Sequence, residues 1–375
     1  MLTIPDELRG QCESIACAIL RGDAIDWSPL DDERAEEAFV KFCGDHGVKA
    51  LLDYVISTSG ERARAPAGVR DGLRRARLIA RGVDQYRYRE LERVLQVCAE
   101  RDIEPIVIKG AAVAHWLYPS PELRSRWDVD LFIGMADITP FLAVAESLGY
   151  VVTGPVFKSH QFTCQTGDRL GRLSSLDVHW RISNAPRFAR MIGYPDALAS
   201  SQPLPDLPGG RRLSVCNALM LACAHRVGSP LHDSGRLIWL YDIHLLISAM
   251  DDGQQIACAR DAVARGVADV CLDGLSLARE RFASVISAEA QQILAAAQDN
   301  GQGLGDARDS FFDLIMDDLA RLPSLGTKAR LVRELVFPSW NSLMSKYQKK
   351  NALWLPLLYL RYLTGGISDR LVRRN

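Results

Sequence analysis

Ile106-Val107-Ile108-Lys109-Gly110, a helix-like segment through Tyr118, then Arg124-Ser125-Arg126-Trp127-Asp128-Val129-Asp130-Leu131-Phe132-Ile133: this stretch decides how the chain is read. Its first piece is a short β-branched run ending in Lys-Gly. Its last piece is a second apolar run carrying two acids with one residue between them. Side chains alternate faces along a strand, so Asp128 and Asp130 point one way and Val129 points into the core. Two neighbouring carboxylates repel, and one would hold its proton unless a cation intervenes. Hard oxygen ligands suit Mg²⁺. Asp-x-Asp is common on solvated loops, but Leu131, Phe132 and Ile133 place this pair on a buried strand. Lys109-Gly110 and Arg124 add cationic and backbone N–H groups of the kind a polyphosphate needs.

Working outward, Pro105 to Ile108 reads as a strand and Gly110 to Tyr118 as a helix stopped by Pro119 and Pro121. Ile138 to Leu148 is amphipathic and closes at Gly149. Phe157 to Thr166 alternates, Gly167-Asp168 turns, and Arg172 to Trp180 returns. On that return strand Asp177 and His179 share one face, and Leu176 and Val178 share the other. Strand, helix, strand, helix and hairpin together predict an α+β fold, a small mixed sheet with flanking helices.

The segments around this core read as helical. Residues 1–65 form an N-terminal helical region, 66–182 the α/β core with its leading helix, 183–336 a C-terminal helical domain, and 337–375 a basic and apolar tail. The helix leading into the core carries Arg70, Arg74, Arg75, Arg77, Arg81, Arg87 and Arg89. Those arginines fit either phosphate or RNA contact, or a solvated face paired with Asp84, Glu90 and Glu92. In the tail, Lys346, Lys349 and Lys350 precede Leu353-Trp354-Leu355, a pattern that suits a membrane surface, a protein partner, or packing on the body.

The chain has 375 residues, 48% hydrophobic and 24% charged, with a formal net charge of −1. Such a balance argues against a protein that grips long nucleic acid. Nine cysteines, without a C-x-x-C pair, read as reduced thiols of a cytoplasmic protein. Neither a signal peptide nor a membrane-spanning run is expected.

Lys109-Gly110, Arg124, Asp128-x-Asp130 and Leu176-Asp177-Val178-His179-Trp180, followed by Ala224-His225-Arg226 and Tyr241-Asp242-Ile243-His244, resemble the uncharacterised nucleotidyltransferase family of bacteria, within the DNA polymerase beta-like nucleotidyltransferase superfamily. The resemblance is strongest over roughly residues 85 to 250. It implies two Mg²⁺ ions held by three acids: Asp128 and Asp130 match the paired acids, and Asp177 the third. Gly110 sits where the superfamily has its Gly-Ser turn, with Ala111 in place of Ser and Lys109 before it, the Lys-Gly form of the family. Lys109, Gly110, Arg124 and His179 become candidate nucleotide contacts, with Lys109 and Arg124 on the β- and γ-phosphates. His179 would bind a phosphate or orient Asp177. His225, Arg226 and His244 fit either a cover for base or acceptor, or a polar seam between domains.

The implied activity is Mg²⁺-dependent transfer of a nucleoside monophosphate, AMP from ATP, to a hydroxyl or phosphate of a small molecule, peptide or protein, in natural-product or polysaccharide biosynthesis. Two alternatives stay open: a non-catalytic nucleotide-binding or assembly module, and a kinase-like phosphotransferase.

Overall fold

The computed structural model describes residues 4–153, 160–169, 171–228, 233–297 and 324–336, and isolated positions 316, 319, 320 and 359. Helices α1 (Asp6–Arg21), α2 (Glu33–Asp45) and α3 (Lys49–Thr58) come first. Asp32 caps α2 by accepting the Ala35 N–H at 2.7 Å, with Glu33 and Glu36 in the first turn, where the helix dipole favours acids. Helix α4 (Ala67–Ala99) runs 33 residues, so it spans about 50 Å at 1.5 Å per residue.

The core then builds as β1 (Ile106–Ile108), α5 (Lys109–Ala114), β2 (Val129–Phe132), α6 (Ile138–Ser147), β3 (Val151–Val152), β4 (Gln161–Gly167) and β5 (Leu173–His179). Three short elements follow: α7 (Tyr194–Ala199), β6 (Gln202–Pro203) and β7 (Arg211–Arg212). The seven strands form one mixed sheet in the order β3-β4-β5-β2-β1-β7-β6. β1 and β2 are antiparallel, β2 and β5 parallel, and β4 and β5 antiparallel. The expected α+β class, a mixed sheet with flanking helices, is what the chain forms.

Alternation along the strands sets the two faces of the sheet. Val107, Leu131, Leu176 and Val178 pack with Leu91, Val94 and Leu95 of α4 and Phe141 and Val144 of α6. Ile106, Ile108 and Phe132 face the other way, into a core shared with α1 to α3 and with the later helices α8 (Val215–Gly228), α9 (Leu237–Ser248), α10 (Asp252–Ala264), α11 (Ala268–Phe282) and α12 (Ala288–Ala297). Asp130 and Asp177 belong to this second face. A further helix, α13 (Leu325–Val336), is also described.

Two local expectations change. The helix after Gly110 stops at Ala114, not Tyr118, and the chain turns so that the Tyr118 hydroxyl reaches Asp242 at 2.9 Å. The stretch 181–210, read as irregular, supplies α7 and β6. These elements of six and two residues are too short for hydrophobic periodicity to reveal. Among the described residues, no helix is long and apolar enough to cross a membrane. The segment around Lys346 to Leu360, read as a membrane or partner contact, lies outside the described residues apart from position 359.

Candidate active site

The site forms where β2 and β5 run side by side. Their parallel register sets Asp130 opposite Asp177 and Phe132 opposite His179. One ligand atom from each of Asp130, Asp177 and His179 lies within 4.8 Å of the others. Asp128 precedes β2 by one residue and stands outside that trio, close enough to feel both acids.

Lys109 enters from the end of β1 with φ of 54°, a left-handed conformation unusual for a side-chain-bearing residue. Its ammonium lies 2.6 Å from Oδ1 of Asp130 and 3.3 Å from Nε2 of His179. His179 Nε2 is itself 2.8 Å from the same carboxylate oxygen. An ionised carboxylate only accepts, so Nε2 carries the proton and Nδ1 is bare; Nδ1 is buried without a partner. Asp177 is held differently, accepting Gln161 Nε2 at 3.1 Å and Thr163 Oγ1 at 2.7 Å from β4. The partner of His179 is therefore Asp130.

Electrostatics separate the carboxylates. Burial pushes Asp128 up, and the charges of Asp130 and Asp177 push further, to about 7, against the pull of Lys109 and Arg87. Burial also opposes ionisation of Asp130, but Lys109 and His179 outweigh it and hold this acid well below the usual range. Burial and the Lys109 charge keep His179 neutral, despite the opposing pull of Asp130. The same fold thus holds one acid firmly charged and another poised near neutrality.

The loop between α5 and β2 is clamped from two sides. Arg124 is buried and ion-paired with Asp242 of α9, Nη2 to Oδ2 at 2.6 Å and Nε to both oxygens at 3.0 Å. Arg126 pairs with Asp84 of α4, and Arg87 of α4 donates to the Arg126 carbonyl at 2.6 Å. Gly110 lies directly under Arg124: an added Cβ would sit 2.8 Å from its guanidinium carbon. Close approach by Arg124 explains glycine at this position.

A cavity of about 520 Å³ collects these groups. Lys109, Gly110, Arg124, Asp128, Asp130 and Asp177 line it; His179 does not, although it supports Asp130 from behind. Trp127 stands at its mouth, 80% exposed. Arg212 and His225 also face it, and His225 sits edge-on to Trp239. His244, by contrast, is engaged with Ser284 at 2.9 Å. Arg212 and Trp127 carried no signal in the sequence, the first on a two-residue strand and the second in a loop.

Two carboxylates whose oxygens come within one ion's reach, held by His179, Gln161 and Thr163 and joined by a third acid that resists ionisation, make an oxygen donor set suited to a divalent cation. The chain belongs to the family described as uncharacterised nucleotidyltransferase, whose model matches residues 32–283. A search of curated proteins found no match.

Proposed function

We propose that this protein is a Mg²⁺-dependent nucleotidyltransferase that moves a nucleoside monophosphate, AMP from ATP, to a hydroxyl or phosphate of an acceptor. The observation that carries the reading is the convergence of Asp128, Asp130 and Asp177 in one cavity of a nucleotidyltransferase-family chain, with His179 behind Asp130. A divalent cation bound there supplies charge neutralisation at the phosphate oxygens and a lower pKa for the attacking hydroxyl. Asp128, Asp130 and Asp177 are assigned to hold it.

The chain's own groups do the rest. Asp130 receives both of its hydrogen bonds on Oδ1, so Oδ2 remains to face a ligand. Gln161 and Thr163 fix Asp177 against rotation, which preorganises its charge. Lys109 pairs with Asp130; with a cation held by the acids, its ammonium would be free to meet the β- or γ-phosphate. Arg124 is charge-balanced by Asp242, so we assign it the placing of Gly110 and the cavity wall. His179 orients Asp130. Asp128, held near 7 by burial and its two acid neighbours, would give up its proton to join Asp130 and Asp177 as a ligand if a cation were bound.

Labelled ATP tests the reading. With Mg²⁺ and a pool of candidate acceptors, label from the α-phosphate is expected in product, together with free pyrophosphate. Transfer of γ-label would establish phosphotransfer, and nucleotide binding without either transfer would establish a binding module.

A further inference from the structure

Arg212 ends β7, and its guanidinium carbon lies 3.4 Å from the centroid of the Trp116 ring. The residue is 9% exposed. One Nη donates to the Leu213 carbonyl at 3.0 Å, and Nε is buried without a partner. Among the described residues no carboxylate pairs with it. Other buried arginines differ: Arg124 faces Asp242, Arg126 faces Asp84, and Arg226 faces Asp273. Burial alone acts on Arg212 and pulls its pKa down, with no nearby charge opposing. A buried charge without a counter-charge is costly and calls for a partner such as water, an ion or a ligand.

Arg212 also borders the cavity that holds the acids. It does so from the far flank of the sheet, since β1 stands between β7 and the β2–β5 pair. The acids and Lys109 thus occupy one part of the cavity, and Arg212 and Trp116 another, while His225 lies near enough to Lys109 and Asp130 to feel their charges. Arg presents a planar fork that matches the oxygens of a phosphate or carboxylate, and stacking on Trp116 fixes the direction of that fork.

We propose that Arg212, laid on Trp116, receives the anionic group of the acceptor, a phosphate or a carboxylate. The acceptor is then an acidic small molecule, or an acidic group on a larger one, bound at one end by Arg212 with its reactive oxygen toward the acids. The word acceptor rests on the nucleotidyl-transfer reading; the anion site rests on Arg212 itself.

The test measures binding of inorganic phosphate, and separately of acetate, to the full chain by calorimetry. Wild type, Arg212→Gln and Arg212→Lys are compared, in chelator and again with Mg²⁺ and α,β-methylene-ATP. At least one anion is expected to bind wild type, to weaken tenfold or more in Arg212→Gln and to recover partly in Arg212→Lys. Nucleotide affinity is expected to stay within twofold in all three. Wild type should also gain melting temperature with the anion, and Arg212→Gln should not. Equal anion binding in wild type and Arg212→Gln, or none in wild type, would overturn the proposal. So would displacement of the anion by the nucleotide analogue, which would assign Arg212 to the donor's triphosphate. Absence of nucleotide binding in every form would instead count against the nucleotidyl-transfer reading, while the anion comparison still decides Arg212.

Discussion

Asp128 is the residue on which protonation and folding meet. Its folded pKa of about 7 lies above the unfolded value near 4, so between those values the folded state binds more protons. Its contribution to stability therefore falls as pH rises from about 4 to 7. In chelator, Asp128→Asn is expected to melt above wild type at pH 8 and to lose that advantage at pH 5. Thermal unfolding at the two values checks this, and a variant that melts lower at both would show that the Asp128 carboxylate is structural. The sequence showed that Asp128 and Asp130 are near each other and that one would hold its proton, but not which one. That choice comes from Lys109 and His179, which both favour Oδ1 of Asp130.

At the scale of elements, the site depends on a loop gripped by two helices. Arg124 to Asp242 joins the start of β2 to α9, and Arg126 to Asp84 joins the same loop to α4. Breaking a buried pair leaves an uncompensated charge, a loss of about 3–5 kcal/mol. Asp242→Ala is expected to cost that much in a denaturant titration. Gly110→Ala is expected to cost part of it, because its Cβ would displace Arg124. In the double variant the two losses should add to less than their sum, since both act through one pair. Full additivity would mean that Gly110 and Arg124 matter independently.

Strand β1 was legible as a short β-branched run, and β2 and β5 because apolar residues alternate with polar ones around Asp130 and Asp177. Helices α8 and α9 fall in the stretch 183–336 read as helical. The Arg124–Asp242 pair was not legible, because its partners lie 118 positions apart and each looks ordinary in its own segment. Nor were β6 and β7, whose two residues apiece leave no period to detect.

On the scale of the whole molecule, the sheet serves two cores. One face is sealed by α4 and α6, and the other carries the acids into a cavity bounded by α5, α8 and α9. The resemblance of the motifs had pointed to residues 85 to 250, whereas the family match extends over residues 32–283. Helices α2 and α3 before the core, and α10 and α11 after it, thus belong to the family unit. Their role is visible in the packing: with α1, α8, α9 and α12 they build the core that takes in Ile106, Ile108 and Phe132, while Tyr194 of α7 lies edge-on to Phe132. Short-range pattern could place each helix but not say which sheet face it would cover, because that choice is made by contacts distant in sequence.

The central claim is a Mg²⁺-dependent nucleotide site built on Asp130 and Asp177. It is tested most directly by a thermal-shift panel of ATP, GTP, CTP and UTP, each with Mg²⁺ and with chelator, on wild type, Asp130→Asn and Asp177→Asn. A ligand that binds only the folded form raises the melting temperature, by about 2.7 kcal/mol of stability at a hundredfold excess over Kd. The account predicts a Mg²⁺-dependent rise with ATP in wild type, lost in Asp130→Asn and reduced in Asp177→Asn. The same rise in chelator, or an undiminished rise in Asp130→Asn, would contradict it.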